Sequence, residues 1–201
     1  MENNEPLELH PTLEQRLILM NQYKILEKLY PEDAELYARY EEILNKGYTL
    51  HYNDLIEYMS KPMPEKEMEF VLDILDLYST MHLAVYRSKN EKYKGKTIYF
   101  PGFDGNHEYE YLNYARFFIF RLDRFQELQK EDTYESYNTH SSTLDTYKRM
   151  LKYWNESKNE NKFILSDEQL DDLIAMSIYG TLGDIKWVLL GIGIIFGPEY
   201  L

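Results

Sequence analysis

The residues best placed to do chemistry lie in one short stretch, FPGFDGNHE, residues 100–108. Asp104, Asn106, His107 and Glu108 sit there together around two glycines. An aspartate three residues before a histidine can form an acid–base pair, and Glu108 adds a second carboxylate to it. Alternating Asp104, Asn106 and Glu108 also resemble the opening of a calcium loop. That reading fails on spacing, because the sixth position is Tyr109 instead of glycine and the twelfth is Ala115 instead of glutamate. Local turn chemistry accounts for the same residues. Pro101-Gly102 is a turn pair, Gly105 supplies a positive φ, Asp104 or Asn106 caps the following helix, and Glu108 sits at that helix's positive end. No nucleophile elbow, HExxH helix or phosphate-binding glycine loop occurs in the chain. His10, His51, His82, His107 and His140 are scattered without ligand spacing. His82 lies on an apolar helix face, where a hydrogen-bonded core histidine is expected.

The elements that must position this stretch are mostly helical. LEQRLILMNQYKILEKLY reads as a first helix, apolar enough on every side to be covered all round. PEDAELYARYEEILNKG reads as a second, opened by Pro31, closed by Gly47, with Leu36, Tyr40, Ile43 and Leu44 inward. Residues 48–59 read as a short extended piece and then a short helix. A long helix starts at Pro64, with Met68, Val71, Leu72, Leu75, Tyr78, His82 and Val85 on its apolar stripe. KTIYF, residues 96–100, is the best strand candidate. A helix over 106–128 is expected to turn Tyr111, Tyr114, Phe118, Leu122 and Phe125 to one side. Another places Leu144, Tyr147, Leu151 and Trp154 together, and a last one opens with the capping-box spacing Ser166–Gln169. The fold class is therefore mostly α, a multihelical domain of about seven helices with at most a small β element near residues 96–100. Residues 1–12 read as a polar arm, 13–175 as the helical domain and 176–201 as an apolar tail.

Composition narrows the partners. The chain has 201 residues, no cysteine, 20 tyrosines and a net charge of −13. Phosphate neutralisation drives nucleic-acid binding, so such an acidic chain is not expected to bind it. The order of elements up to KTIYF mimics a winged helix, but the would-be recognition helix begins with Glu65, Glu67 and Glu69, which phosphates repel. An anionic membrane surface is disfavoured likewise. The longest apolar run, WVLLGIGIIFG, falls short of the roughly 20 residues a span requires. An acidic, polar first segment and the lack of cysteine favour a cytoplasmic protein.

Two stretches, QRLILMNQYKIL (residues 15–26) and FPGFDGNHEYEYLNYARF (100–117), resemble the two hallmark segments of the YfbU family. YEEILNKGY, YKRMLKYW and ILSDEQLDDLI follow in the family's order, so the resemblance covers about residues 13–175. It implies a mostly helical bacterial or archaeal domain, and it brings no catalytic residues with it. Some members carry a DNA-binding helix-turn-helix domain alongside, which implies a sensing or ligand-binding module. Asn21, Gln22 and Tyr23 carry over from the first segment, and Gly102, Phe103 and Asp104 from the second. With Asn106 and Glu108 they form the candidate binding set.

Asn21 and Gln22 interrupt a helix expected to be buried. A buried amide without partners costs about 1–3 kcal/mol, so they are expected to find partners across a seam, at a subunit interface or in a pocket. The expected function is a non-catalytic binding or regulatory module that self-associates and takes a small-molecule or protein ligand, without cofactor or metal. The alternatives are an enzyme with hydrolase-like acid–base chemistry at Asp104, His107 and Glu108, and a winged-helix-like DNA-binding protein. The tail's apolar residues, Trp187 to Phe196, are expected to pack irregularly against the domain or a second subunit.

Overall fold

The computed structural model describes residues 7–129, 137–156 and 163–180. The chain is mostly helical, and the described residues hold six α-helices and no strand. Backbone contacts divide it into two compact units, Met1–Pro62 and Met63–Leu201. A stretch of mostly exposed residues containing Pro62 and Pro64 marks the junction.

The first unit is a helical hairpin. Helix α1 (Leu13–Leu29) opens with a capping box, Thr12 accepting from the Gln15 N–H while the Gln15 side chain accepts from the Thr12 N–H. Helix α2 (Ala34–Lys46) closes on Gly47 in the left-handed conformation, φ +69°. The Arg16 guanidinium reaches from α1 to the last carbonyls of α2, donating to Leu44 O and, at 3.1 Å, to Asn45 O. A run of 3-10 helix, Thr49–Ile56, takes the place of the short helix after α2. The buried core is small: Ile43, Leu44 and Tyr52, flanked by Leu19, Met20, Tyr23 and Tyr40. Helix α1 itself contains no buried residue, so the all-round cover its sequence calls for is not supplied within this chain's described residues.

The second unit is built on α3 (Glu65–Arg87). It buries Val71, Ile74, Leu75, Leu77, Tyr78, Thr80, Met81 and Val85, which is more than one stripe, because α4 (Tyr109–Arg116), α5 (Leu144–Glu156) and α6 (Asp167–Gly180) all pack on it. His82 is half-buried, its Nδ1 3.1 Å from Ile98 O. Ser166 and Gln169 form the expected capping box ahead of α6. The turn after α3 is tied to the same helix end. Ser88 Oγ and Asn90 Nδ2 donate to Asp167, and Tyr93 OH donates to Asp171 at 2.6 Å.

Two expectations are corrected. Residues 96–100 form no strand, since a strand requires a partner and the one bridge among the described residues lies further on, between Phe103 and Asn138. The helix expected over 106–128 ends early. After Arg116 it widens into a π-helical turn, Phe117–Arg121, and breaks at Asp123 and Phe125, both at φ +55°. Leu112, Ala115 and Ile119 therefore form its buried face, and Leu122 is exposed. Of the apolar tail, residues 176–180 continue α6, and residues 181–201 lie outside the described residues.

Gly102 and Gly95 offer a matched comparison. Both have positive φ, +101° and +70°. A Cβ on Gly102 would stand 1.7 Å from the Tyr137 carbonyl oxygen, whereas one on Gly95 would meet nothing within 4 Å. Gly95→Ala should cost about 1–2 kcal/mol, the ordinary left-handed penalty. Gly102→Ala should exceed about 4 kcal/mol or prevent folding, since backbone itself must move. Urea unfolding of the two variants checks this; equal losses would refute it.

Candidate functional site

The stretch 100–108 is anchored at its start by aromatic packing. Phe100 and Phe103 lie in a cluster with Tyr78 and Tyr147, at ring-centroid distances of 5.2–6.2 Å. The Tyr147 hydroxyl donates to Gly102 O at 2.6 Å. Phe103 N–H donates to Tyr137 O, and Thr139 N–H returns a bond to Phe103 O, both at 3.1 Å. Gly105 N–H donates to Asn138 Oδ1 at 2.9 Å. Gly105 does not have the positive φ expected of it; that role falls to Gly102. Gly105 is needed for space instead, because a Cβ there would stand 2.6 Å from Asn138 Nδ2. Residues 101–105 are thus laid edge to edge on 137–139.

Glu108 then closes the arrangement. Its Oε1 accepts from Ser142 Oγ at 2.6 Å, Thr143 N at 2.8 Å and Leu144 N at 3.1 Å. Its Oε2 accepts from Thr143 Oγ1 at 2.8 Å and Asp104 N at 3.0 Å. Glu108 serves the positive end of α5, some 35 positions away in sequence, and not the helix that follows it. A helix start leaves backbone N–H groups without intrahelical partners, and this carboxylate takes the first of them for α5. It is only 2% exposed. Burial opposes its ionisation, but the donors from Ser142, Asp104, Thr143 and Leu144 together outweigh burial and hold the carboxyl below its ordinary range.

Asp104, also 2% exposed, makes a tight turn. Its Oδ1 accepts from Asn106 N at 3.0 Å, and its Oδ2 lies 2.7 Å from His107 Nδ1. The Asn106 N–H chiefly, and then His107, lower the Asp104 carboxyl. The backbone N–H it binds belongs to the turn before α4, not to the first helical turn. Asn106 and His107 are exposed at this turn, the His107 side chain to 80%.

The candidate residues therefore divide. Gly102, Phe103, Asp104, Asn106 and Glu108 come together in one loop of the second unit. Asn21, Gln22 and Tyr23 lie on α1 of the first. Asn21 and Gln22 are exposed, so no cover is supplied to them within this chain's described residues; Tyr23 is half-buried against Tyr37 and Tyr40. Ser142, Thr143 and Tyr147 belong to the loop arrangement and were missed by sequence reasoning. Only a serine–threonine pair just ahead of an amphipathic helix hinted at a helix start there.

An acid–base group must offer a lone pair or proton to a reacting atom. Both oxygens of Glu108 are occupied by protein donors, and Asp104 is engaged on both oxygens as well. His107 is oriented by Asp104 but stands in open water, where little excludes solvent from a reacting group. Among the described residues, no three His, Asp or Glu side chains gather as metal ligands would. The geometry is that of a loop lock.

The chain matches the YfbU domain over residues 10–175. It belongs to the YfbU family. It is 36% identical over 165 residues to UPF0304 protein MJECS11 of Methanocaldococcus jannaschii, an alignment covering 80% of this chain and 96% of that protein. The YfbU match spans both compact units, so hairpin and loop lock alike fall within the family's domain. No helix among the described residues is long and apolar enough to cross a membrane.

Glu108→Gln keeps the shape but turns an amide N–H₂ toward donors. It should destabilise the fold by about 2–4 kcal/mol, the cost of a broken buried charged network. Asp104→Asn, which keeps an acceptor for the Asn106 N–H, should cost less. The Glu108 carboxyl is lowered in the fold, so its stabilisation is complete above the ordinary carboxylate range. It is lost as pH falls through the lower folded value. The gap between wild type and Glu108→Gln should therefore close in acid, as urea midpoints across pH will test. A gap independent of pH would contradict an ionised Glu108.

Proposed function

We propose that this chain is a non-catalytic binding module whose first unit presents the binding surface. One observation carries the reading. Among the described residues, ten of the sixteen large apolar side chains left exposed belong to the first unit, which buries only three of its own. A unit so thinly cored is the kind that oligomerisation or a partner completes. Exposed apolar side chains spread along a helix suit a protein partner better than a small molecule, which prefers a concave site.

The second unit serves as the scaffold, its Asp104 and Glu108 committed to the loop lock. Acid–base catalysis at Asp104 and His107 is the competing reading, favoured by their 2.7 Å contact. Lone exposure of the histidine weighs against it. The net charge of −13, with Glu65 and Glu69 exposed at the start of α3, weighs against a nucleic-acid partner. A chain without cysteine is suited to a reducing cytoplasm.

Native mass spectrometry of the protein purified from its own host tests the reading. Assemblies above the 24.3 kDa of one chain are expected. His107→Ala should leave them unchanged, and Leu17→Glu with Ile25→Glu should strip them to the single chain. A bare 24.3 kDa species under all conditions would refute the module.

A further inference from the structure

We propose that the partner is a second copy of this chain, with α1 pairing antiparallel to the partner's α1 about a two-fold axis at Asn21. This rests on the binding-module reading and names its partner. Helix α1 runs from Leu13 to Leu29, so Asn21 is its midpoint. Glu14, Asn21 and Lys28 are exposed and lie seven residues apart, which puts them on one face. Leu17, Ile18 and Ile25 flank that line and are 58%, 59% and 55% exposed.

The pattern is complementary to itself in one direction only. In an isologous pair a residue i meets j and j meets i. Antiparallel pairing about Asn21 sets Glu14 against the partner's Lys28, and Leu17 against the partner's Ile25. Parallel pairing would set Glu14 against Glu14 and Lys28 against Lys28, which repel. Asn21 meets its own copy, and a carboxamide offers both donor and acceptor, so it satisfies itself across the axis. A polar residue that meets its own copy at the axis is a known way to fix register in a helical pair. That gives a physical role to an exposed amide flanked by Leu17, Ile18 and Ile25. Among the described residues Lys28 is bonded to its chain neighbour Glu27, at 2.8 Å, a contact it can exchange without loss of the fold. Lys24 is already engaged with Glu41, leaving Lys28 as the cation that answers Glu14.

Charge exchange tests the proposal directly on the full-length chain. Sedimentation equilibrium at micromolar concentration and low salt should give a dimer of wild type. Glu14→Lys, or Lys28→Glu, replaces two attractions by two repulsions and should raise the dimer Kd roughly ten-fold. The double exchange Glu14→Lys with Lys28→Glu should return Kd to within about three-fold of wild type, and 1 M salt should flatten all three differences. These positions are exposed, so far-ultraviolet circular dichroism should show every variant folded. A monomeric wild type, or a dimer that the double exchange fails to restore, overturns the proposal. A dimer abolished by truncation after Ser177 but indifferent to the charge variants also overturns it, in favour of the apolar tail. Native masses exceeding one chain by something other than a whole number of copies would sink self-pairing while leaving the binding module standing. A bare single chain would sink both.

Discussion

The Glu108 carboxylate is the constraint on which the second unit depends. Two oxygens take five donors from residues 104 and 142–144, and they do so out of water. One negative charge thereby caps α5, fixes the turn at Asp104 and ties the loop to residues 142–144. The aromatic cluster beneath is aligned by the same lock, since Tyr147 on α5 must reach Gly102 O. A charge buried so deeply is tolerable only because every lone pair has a donor. The saturation that makes Glu108 structurally valuable also removes it from chemistry, for a base with no free lone pair accepts no proton. Asp104 follows the same logic at smaller scale.

The two units solve the burial problem differently. The second wraps its longest helix on several sides and closes a core of large aromatic and aliphatic groups. The first has one small cluster and an outer helix with nothing buried. Sequence-level hydrophobicity nonetheless marks α1 as a helix to be covered. Helix α1 leaves Leu17, Ile18 and Ile25 exposed around a central asparagine, with a glutamate and a lysine at equal distances either side, the pattern from which we propose pairing with a reversed copy.

Much of the fold was legible in the sequence, wherever the signal was local. Gly47 ends α2 and the Ser166–Gln169 box opens α6, because caps act over three or four residues. The helices of α3 and α5 follow from periodicity alone. What was not legible depended on distant residues. Glu108 looked like a first-turn acid for its own helix, and nothing within ten residues announces Ser142 or Thr143 as its partners. Gly105 looked like the positive-φ glycine of the loop, but the backbone of Tyr137 makes Gly102 the irreplaceable one. The aromatic run Phe117–Phe120 continued a helical pattern that the chain abandons through a π-helical turn. The amides of α1 were placed in a buried helix because hydrophobicity reports the need for cover, not its source.

The titration of the Glu108 carboxyl carbon, followed by nuclear magnetic resonance on selectively labelled protein, reports most directly on the lock. An ionised carboxylate saturated by donors should titrate below the ordinary glutamate range, with its transition coupled to loss of the folded signals. A Glu108 that takes up its proton above that range while the fold persists would contradict the account. It would mark a carboxyl with a free lone pair and restore it as a candidate acid.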